Sequence, residues 1–311
     1  MEFLVLIKPG PEGYARCEPK TQAEDFHNDM LASTTQKGGP KMKKMILIML
    51  PFLALGLGSN AFGQKATPIS RLPYTISKSG SYAVTKNLTS SQDGIIVGAD
   101  DVTIDLMGFR ISGPDSGFNY GISMEGRSNV EVRNGTVANF GSIGISEAGG
   151  SGSNHRIINV RVKGNGASGI FLFGSNHLVK DCTVSDNQGF GIFVQYGSVV
   201  NGSTTYNNTV DGISSTIGST ITGNTAYNNG SHGIGGCQGC TIIGNALYSN
   251  EAMGIYTLGG CTIKNNAAYS NHQEGIYSEG YSLIDGNTAW GNTSGNIHPC
   301  ATCTMGLNAV P

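Results

Sequence analysis

The sequence predicts an all-β solenoid of roughly ten stacked coils, with 21–27 residues per coil. Three observations carry that expectation. Gly accounts for 47 of 311 residues and charged residues for only 13%, a composition of turns and short strands rather than helices. Gly-Ile recurs every 21 residues, at Gly191-Ile192, Gly212-Ile213, Gly233-Ile234, Gly254-Ile255 and Gly275-Ile276. Asn keeps the same period at Asn187, Asn208, Asn229, Asn250, Asn271 and Asn292, with a second series at Asn224, Asn245, Asn266 and Asn287.

In chain order, residues 1–41 hold no recognisable element. They are expected to be disordered or absent from the mature chain, with Met42 as an alternative start. From Met42 to Gln64 the order is basic (Lys43, Lys44), then apolar from Met45 to Gly58, then small at Ala61 and Gly63. That is the pattern of a secretory signal over 42–63, cut before Gln64. The apolar run falls short of the ~20 residues of a membrane helix, so no stable span is expected after cleavage. A buried or membrane-anchoring helix is the competing reading. Export to the periplasm or the medium lets cysteines oxidise. Residues 64–82 read as a lead-in, 83–303 as the solenoid and 304–311 as a tail.

Within the solenoid each unit holds two or three short strand-like runs broken by Gly and Asn. One such unit cannot bury a face alone, but stacking units does so. Strands of successive coils then pair in parallel at ~4.8 Å, and ten coils span about 50 Å. Asn residues one coil apart form hydrogen-bonded ladders, and Asn and Gly suit the tight bends. Towards the N-terminus the period loosens: Gly169-Ile170, Gly144-Ile145, Gly121-Ile122 and Gly94-Ile95 are spaced by 22, 25, 23 and 27 residues.

The repeat, of the form N-t-a-x-x-N-x-x-x-G-I, resembles that of right-handed parallel β-helix proteins of the pectate-lyase-like superfamily, over about 83–303. The stretch from Ser81 to Gly113 looks like the first coils of secreted bacterial members. The resemblance implies a fold rather than one activity, since the superfamily holds lyases, hydrolases, epimerases, tailspikes and adhesins. It also implies a cleft along the first sheet, bordered by the preceding turn. Signature motifs are incomplete. Asn208-Thr209-Val210-Asp211 and Ser231-His232-Gly233 only echo the N-T-D and G-H-G of polygalacturonase-like hydrolases. Asp100-Asp101 lies far away, no R-I-K follows His232, and His298-Pro299 lacks the Asp of the epimerase D-P-H.

Residues one period apart form columns, and candidate sites are columns. Tyr206, Tyr227, Tyr248, Tyr269 and Trp290 make an aromatic column. Strand alternation turns it outward, because the preceding residues align with Val184. It suits stacking on sugar rings; alternatively the rings stack on each other. Asp211, His232 and Glu274 share the column just before each Gly, and Glu251 and His272 share another. A carboxylate beside an imidazole can orient it as a general base. Glu251 and Glu274 fall about 8 Å apart by strand geometry, inside the roughly 6.5–9.5 Å of inverting glycosidases. Solvated turn residues are the plain alternative. Outward neighbours Phe171, Phe193, Ser214, Gly235, Tyr256 and Tyr277 form a groove floor, with the tyrosines as candidate substrate contacts.

Net charge is −2, and from Asp181 to Pro311 Lys264 is the one Lys or Arg against seven acids. Nucleic acid is excluded as a partner on that balance, and calcium-dependent lyase chemistry is disfavoured by the lack of a basic catalytic group. In earlier coils Arg156, Arg161, Lys163 and Lys180, with His155 and His177, either meet an anionic glycan or form a solvated face with Arg156 paired to Glu131.

Cys237, Cys240, Cys300 and Cys303 form two C-x-x-C pairs three periods apart, about 14 Å and too far for one zinc ion. Disulfides Cys240–Cys261 and Cys300–Cys303 are expected. A three-thiolate site from Cys237, Cys240 and Cys261 is the metal alternative. No cofactor is expected, and the preferred assignment holds no metal. The sequence thus points to an exported protein associated with a polysaccharide or cell-surface glycan, as a hydrolase or lyase or as a non-catalytic binding or adhesive solenoid. A periplasmic metal-handling protein is the third reading.

Overall fold

The structure is a computed structural model and describes residues 65–298 and 300–311. The expected extension and signal segment lie outside these residues. Among the described residues every regular element is a strand, and every strand pair is parallel. In the regular coils, three strands in turn build three faces. Ile213–Ser215, Thr220–Thr222 and Thr225–Tyr227 are one such coil. Ile213–Ser215 belongs to an 11-stranded sheet, here the Ile face. The other two strands belong to the third face and the Tyr face, which join into one 20-stranded sheet through the long strands Val130–Ala138 and Arg156–Lys163.

Eleven strands on the Ile face make eleven coils, one more than the sequence estimate. The ladder also extends beyond 83–303. Thr67–Ile69 pairs with Gly80–Val84, Tyr74–Ile76 with Ile95–Val97, and Thr304–Met305 with Leu283–Asp285.

The Gly-Ile signature has a packing cause. Ile95, Ile122, Ile145, Ile170, Ile192, Ile213, Ile234, Ile255 and Ile276 are all fully buried in one inward column. Burying each contributes about 1.5–3 kcal/mol. The preceding Gly sits where the next coil comes closest. A Cβ on Gly212 would lie 2.5 Å from Thr205 Oγ1, 2.7 Å from Asn229 Nδ2 and 2.9 Å from the Gly233 carbonyl oxygen.

Each of the three corners carries a side-chain ladder. Between the Tyr and Ile faces runs Asn165–Asn187–Asn208–Asn229–Asn250–Asn271–Asn292, and from Asn187 onward each Oδ1 accepts from the Nδ2 of the residue one coil earlier at 2.8–3.0 Å. Between the third and Tyr faces runs Cys182–Ser203–Asn224–Asn245–Asn266–Asn287–Asn308. The third corner holds His155, His177, Ser198, Ser219, Cys240, Cys261 and Ser282, and these accept backbone N–H groups from the preceding coil. Three chemistries therefore fill one role, satisfying an amide that would otherwise be buried without a partner.

This third ladder corrects two expectations. Cys240 and Cys261 are free buried thiols, not a disulfide, and the Cys240 N–H donates to Cys261 Sγ at 3.3 Å. In-register side chains one coil apart stand ~4.8 Å from each other, wider than the ~3.8 Å between the Cβ atoms of a disulfide. Cys300 and Cys303 do form a disulfide. The second correction concerns His155 and His177, which lie inside the solenoid and face no glycan. Their imidazoles stack at 5.1 Å. Arg156 pairs with Glu131 at 3.0 Å, as expected, and Arg133 joins Glu131 and Asp105, each at 2.8 Å.

His155 makes stability depend on pH. Its Nδ1 accepts the Val130 amide at 3.3 Å, which leaves the ring proton on Nε2, 3.8 Å from Glu147 Oε2. Desolvation, with the neighbouring His177, lowers its pKa to about 4. Between the unfolded value near 6.5 and about 4, the unfolded chain binds a proton that the folded chain refuses, so stability falls as pH falls. The loss is on the order of 3 kcal/mol. Burial raises the Glu147 pKa, which acts in the opposite sense. His155→Asn keeps an acceptor for the Val130 amide and should flatten this acid loss in urea titrations. An unchanged pH slope in that variant would contradict the assignment.

Candidate functional site

The outward row of the Ile face is uneven, and the unevenness makes a site. Phe171, Phe193, Ser214 and Gly235 follow one another in register, and Tyr256 pairs with Tyr277. Phe171 and Phe193 stack at 4.6 Å, with Phe173 and Phe190 packed on their edges. On the other side Tyr256 and Tyr277 lie 6.0 Å apart, and His298 packs on Tyr277 at 4.4 Å. Ser214 and Gly235 leave a gap between these two aromatic groups. A register shift follows Ile234, so that Cys237 pairs with Thr257, and Gly236 has φ +75°. The extra residue is a β-bulge, a device that re-aims neighbouring side chains.

Asp211 and His232 come from the turn before this row and meet at the gap, but not as a carboxylate orienting an imidazole. Asp211 Oδ1 accepts the backbone N–H of His232 at 3.0 Å, and His232 Nδ1 accepts the Met253 N–H at 3.2 Å. This is a fourth ladder, in which each side chain caps the next coil's amide. The ring proton of His232 is therefore on Nε2, and the ring stacks on Tyr256 at 5.1 Å. Burial lowers the His232 pKa against the pull of Asp211, so the imidazole is neutral at pH 7. Asp211 is 7% exposed, and its Oδ2 lies over Gly235, where any Cβ would collide with it.

The other acids lie around the gap. Glu251 Oε2 meets His272 Nδ1 at 2.7 Å, both exposed. Glu274 opens the strand Glu274–Ser278. Tyr256 donates to Glu279 Oε1 at 2.6 Å, and that bond first, with burial, pushes its hydroxyl up to about 12. Tyr256 is thus a proton donor and not a base at neutral pH. Glu279 and Phe173 escape a reading by columns, because one stands in a turn and the other two positions along a strand, whereas Phe190 stands one period before Asp211 in the column just before each Gly. The signal for Phe173 is the alternation F-L-F itself.

The aromatic column on the Tyr face stands outward and stacks on itself. Tyr206, Tyr227, Tyr248, Tyr269 and Trp290 have centroids 4.9–5.0 Å apart and planes within 8°. Ring faces inside the column are occupied by neighbouring rings, leaving edges and hydroxyls to solvent. A sugar needs a free face. Trp290, 46% exposed, ends the stack.

The buried thiols of the third corner bond to one another and to the backbone. Cys240 is pushed up to about 12, first by its hydrogen bond with Cys237, and Cys261 is pushed up by Cys240 and burial. Among the described residues no group of three or more His, Cys, Asp or Glu side chains is arranged around a metal position.

Comparison with known proteins agrees with the architecture. A family model described as "Right handed beta helix region" matches residues 76–219. The A-module of the Azotobacter vinelandii mannuronan C-5 epimerase AlgE6 is 16% identical, with 79% of each chain covered and a TM-score of 0.56. The AlgE4 A-module of the same organism is 18% identical over 80% of this chain and 88% of that one, with a TM-score of 0.52. A mutant of the periplasmic alginate epimerase AlgG is 13% identical over 76% and 70%, with a TM-score of 0.51. At these identities the likeness is one of fold. A search of curated proteins found no sequence match. The chain has the right-handed parallel β-helix fold. No helix among the described residues is long and apolar enough to cross a membrane.

Proposed function

We propose that this protein is a polysaccharide-associated β-helix protein that holds a glycan chain along the Ile face, across the Ser214–Gly235 gap. The observation that carries the reading is the pair of aromatic stacks, Phe171 on Phe193 and His232 on Tyr256, flanking a gap floored by a buried carboxylate. Sugar rings stack on aromatic faces and donate hydroxyls to carboxylates. Three structural neighbours are named as alginate or mannuronan epimerases, which supports a glycan as the partner class. The signal-like segment 42–63 supports a periplasmic or secreted location. The charge balance after Lys180 argues against nucleic acid.

The test is retention of the full chain in gels cast with a panel of polysaccharides. Phe193→Ala and Tyr256→Ala should weaken retention about tenfold, the order of one lost aromatic contact. Tyr248→Ala, inside the self-stacked column, should leave it unchanged. The reverse ranking would move the site to the Tyr face.

A glycan-cleaving enzyme is the second reading, favoured by Asp211, His232 and Tyr256 converging at the gap. In it Tyr256 offers a proton, the neutral His232 offers its Nε2–H as a hydrogen-bond donor, and Glu251 and Glu274 are further candidate carboxylates. Mass spectrometry of the retained glycans separates the readings. Shortened or unsaturated products, lost in His232→Gln, would make it an enzyme.

A further inference from the structure

The third face and the Tyr face carry their cations differently. On the third face Arg133, Arg156, Lys180 and Lys264 each meet a carboxylate, at 2.8, 3.0, 3.8 and 3.1 Å. On the Tyr face Arg110, Arg161 and Lys163 meet none among the described residues. These three stand in the two outward rows of that face. One row reads Arg110, Thr136, Arg161, Thr183, Thr204 and Thr225. The other reads Ser112, Ala138, Lys163, Ser185, Tyr206 and Tyr227, and runs on as the ring stack to Trp290. Neither row holds an acidic residue. Two acids border the face from its corners. Asp181 lies beside Lys180, and Asp186 takes the hydroxyl of Ser185 at 2.7 Å.

Pairing along this face keeps its register from coil to coil, without the shifts that break the Ile face. Eight coil steps separate Arg110 from Thr288, about 38 Å of flat sheet. Small side chains lie between the cations, and Arg161 and Lys163 are exposed. The stacked rings offer edges and hydroxyls, which do not suit a sugar face. They do suit a layer of lipid headgroups. Tyr and Trp settle at that depth with their polar edges among the headgroups, and Lys and Arg meet the phosphates. Glu251, Glu274 and Glu279 stand on the strand and turns of the Ile face. An anionic surface therefore attracts the Tyr face and repels its neighbour.

We propose that the Tyr face lies on an anionic lipid surface, with Arg110, Arg161 and Lys163 on the headgroup phosphates and the ring edges from Tyr206 to Trp290 among the headgroups. The protein rests on the bilayer without crossing it, and the Ile face stays open to solvent. This inference does not depend on the glycan reading.

Trp290 is the one Trp of the chain, so its fluorescence reports on this face alone. The experiment mixes the full chain with vesicles of phosphatidylcholine, or of phosphatidylcholine and phosphatidylglycerol in equal parts, brominated on the acyl chains near the headgroup. Sedimentation reads binding, and quenching of Trp290 reads which face touches the lipid. The wild type should bind the anionic vesicles with Trp290 quenched, and leave them in high salt. Arg110→Gln, Arg161→Gln and Lys163→Gln together should weaken binding about a hundredfold, roughly fivefold for each charge. Arg161→Gln with Lys163→Gln, both at exposed positions, should weaken it about twenty-fivefold and decides the matter if the half-buried Arg110 cannot be replaced. Arg156→Gln, Lys180→Gln and Lys264→Gln together take the same charge from the third face and should leave the quenching in place. Equal weakening by the two triple variants, or binding without quenching of Trp290, would overturn the inference. So would equal binding to neutral vesicles, which the apolar run 45–58 alone would give. A soluble acidic oligosaccharide that binds where vesicles do not, and is lost in the first triple variant, would give the face to a glycan and overturn the lipid reading.

Discussion

Asn250→Ala is expected to lower the free energy of unfolding by about 4 kcal/mol. Asn250 is fully buried. Its Oδ1 accepts the Asn229 backbone N–H at 3.2 Å and the Asn229 side-chain amide at 3.0 Å. Its Nδ2 donates to the Ala226 carbonyl at 3.1 Å and to Asn271 Oδ1 at 2.9 Å. Alanine removes all four bonds and leaves their partners stranded away from water, at about 1–3 kcal/mol for each one that finds no substitute. Asn292, at the half-buried end of the same ladder, should cost only about 1 kcal/mol when replaced by alanine, since water can reach its partners. Urea midpoints of the two variants measure the difference. Equal losses would mean that the ladder acts through local turn shape and not through buried bonds.

Gly212→Ala is the second large effect, at about 3 kcal/mol or more. Its φ is not in the left-handed region, so the added methyl is opposed by sterics alone. The methyl meets Thr205 Oγ1, Asn229 Nδ2 and the Gly233 carbonyl oxygen within 2.9 Å. Relief requires moving the next coil's backbone, which is paired on both sides. Gly239→Ala is the natural contrast. Gly239 has φ +61° and nothing within 4 Å of the place a methyl would take, so only backbone strain of about 1 kcal/mol opposes the change. A Gly239 loss equal to the Gly212 loss would put the cause in conformation and not in coil contact.

These two residues show why so much of the fold was legible. In a solenoid the contact partner of residue i is residue i+21, so a packing requirement reappears in the sequence as a period. Gly-Ile marks close approach and core filling, and Asn marks a buried amide chain. The corner of His155, His177, Ser198, Ser219, Cys240, Cys261 and Ser282 was not legible, because only the acceptor role repeats there and the residue type does not. That is also why Cys240 and Cys261 read as a bridge and His155 and His177 as a surface pair.

The site was half legible. Columns placed Asp211, His232, Tyr256 and Tyr277 near one another. They could not show that Asp211 caps an amide, or that a bulge opens the row at Gly235. The extra Gly in G-I-G-G-C, against G-I-Y-T one coil later, was the sequence trace of that bulge. The self-stacking of the Tyr column was one of two readings, and geometry chose between them by occupying the ring faces.

The central claim is that a glycan lies on the Ile face. Hydrogen–deuterium exchange with and without the best-retained glycan tests it directly. The account predicts added protection in Ile192–Tyr196, Ile234–Gln238 and Glu274–Ser278, with no change in Thr225–Tyr227 or Ala246–Tyr248. Protection confined to the Tyr-face strands would contradict it.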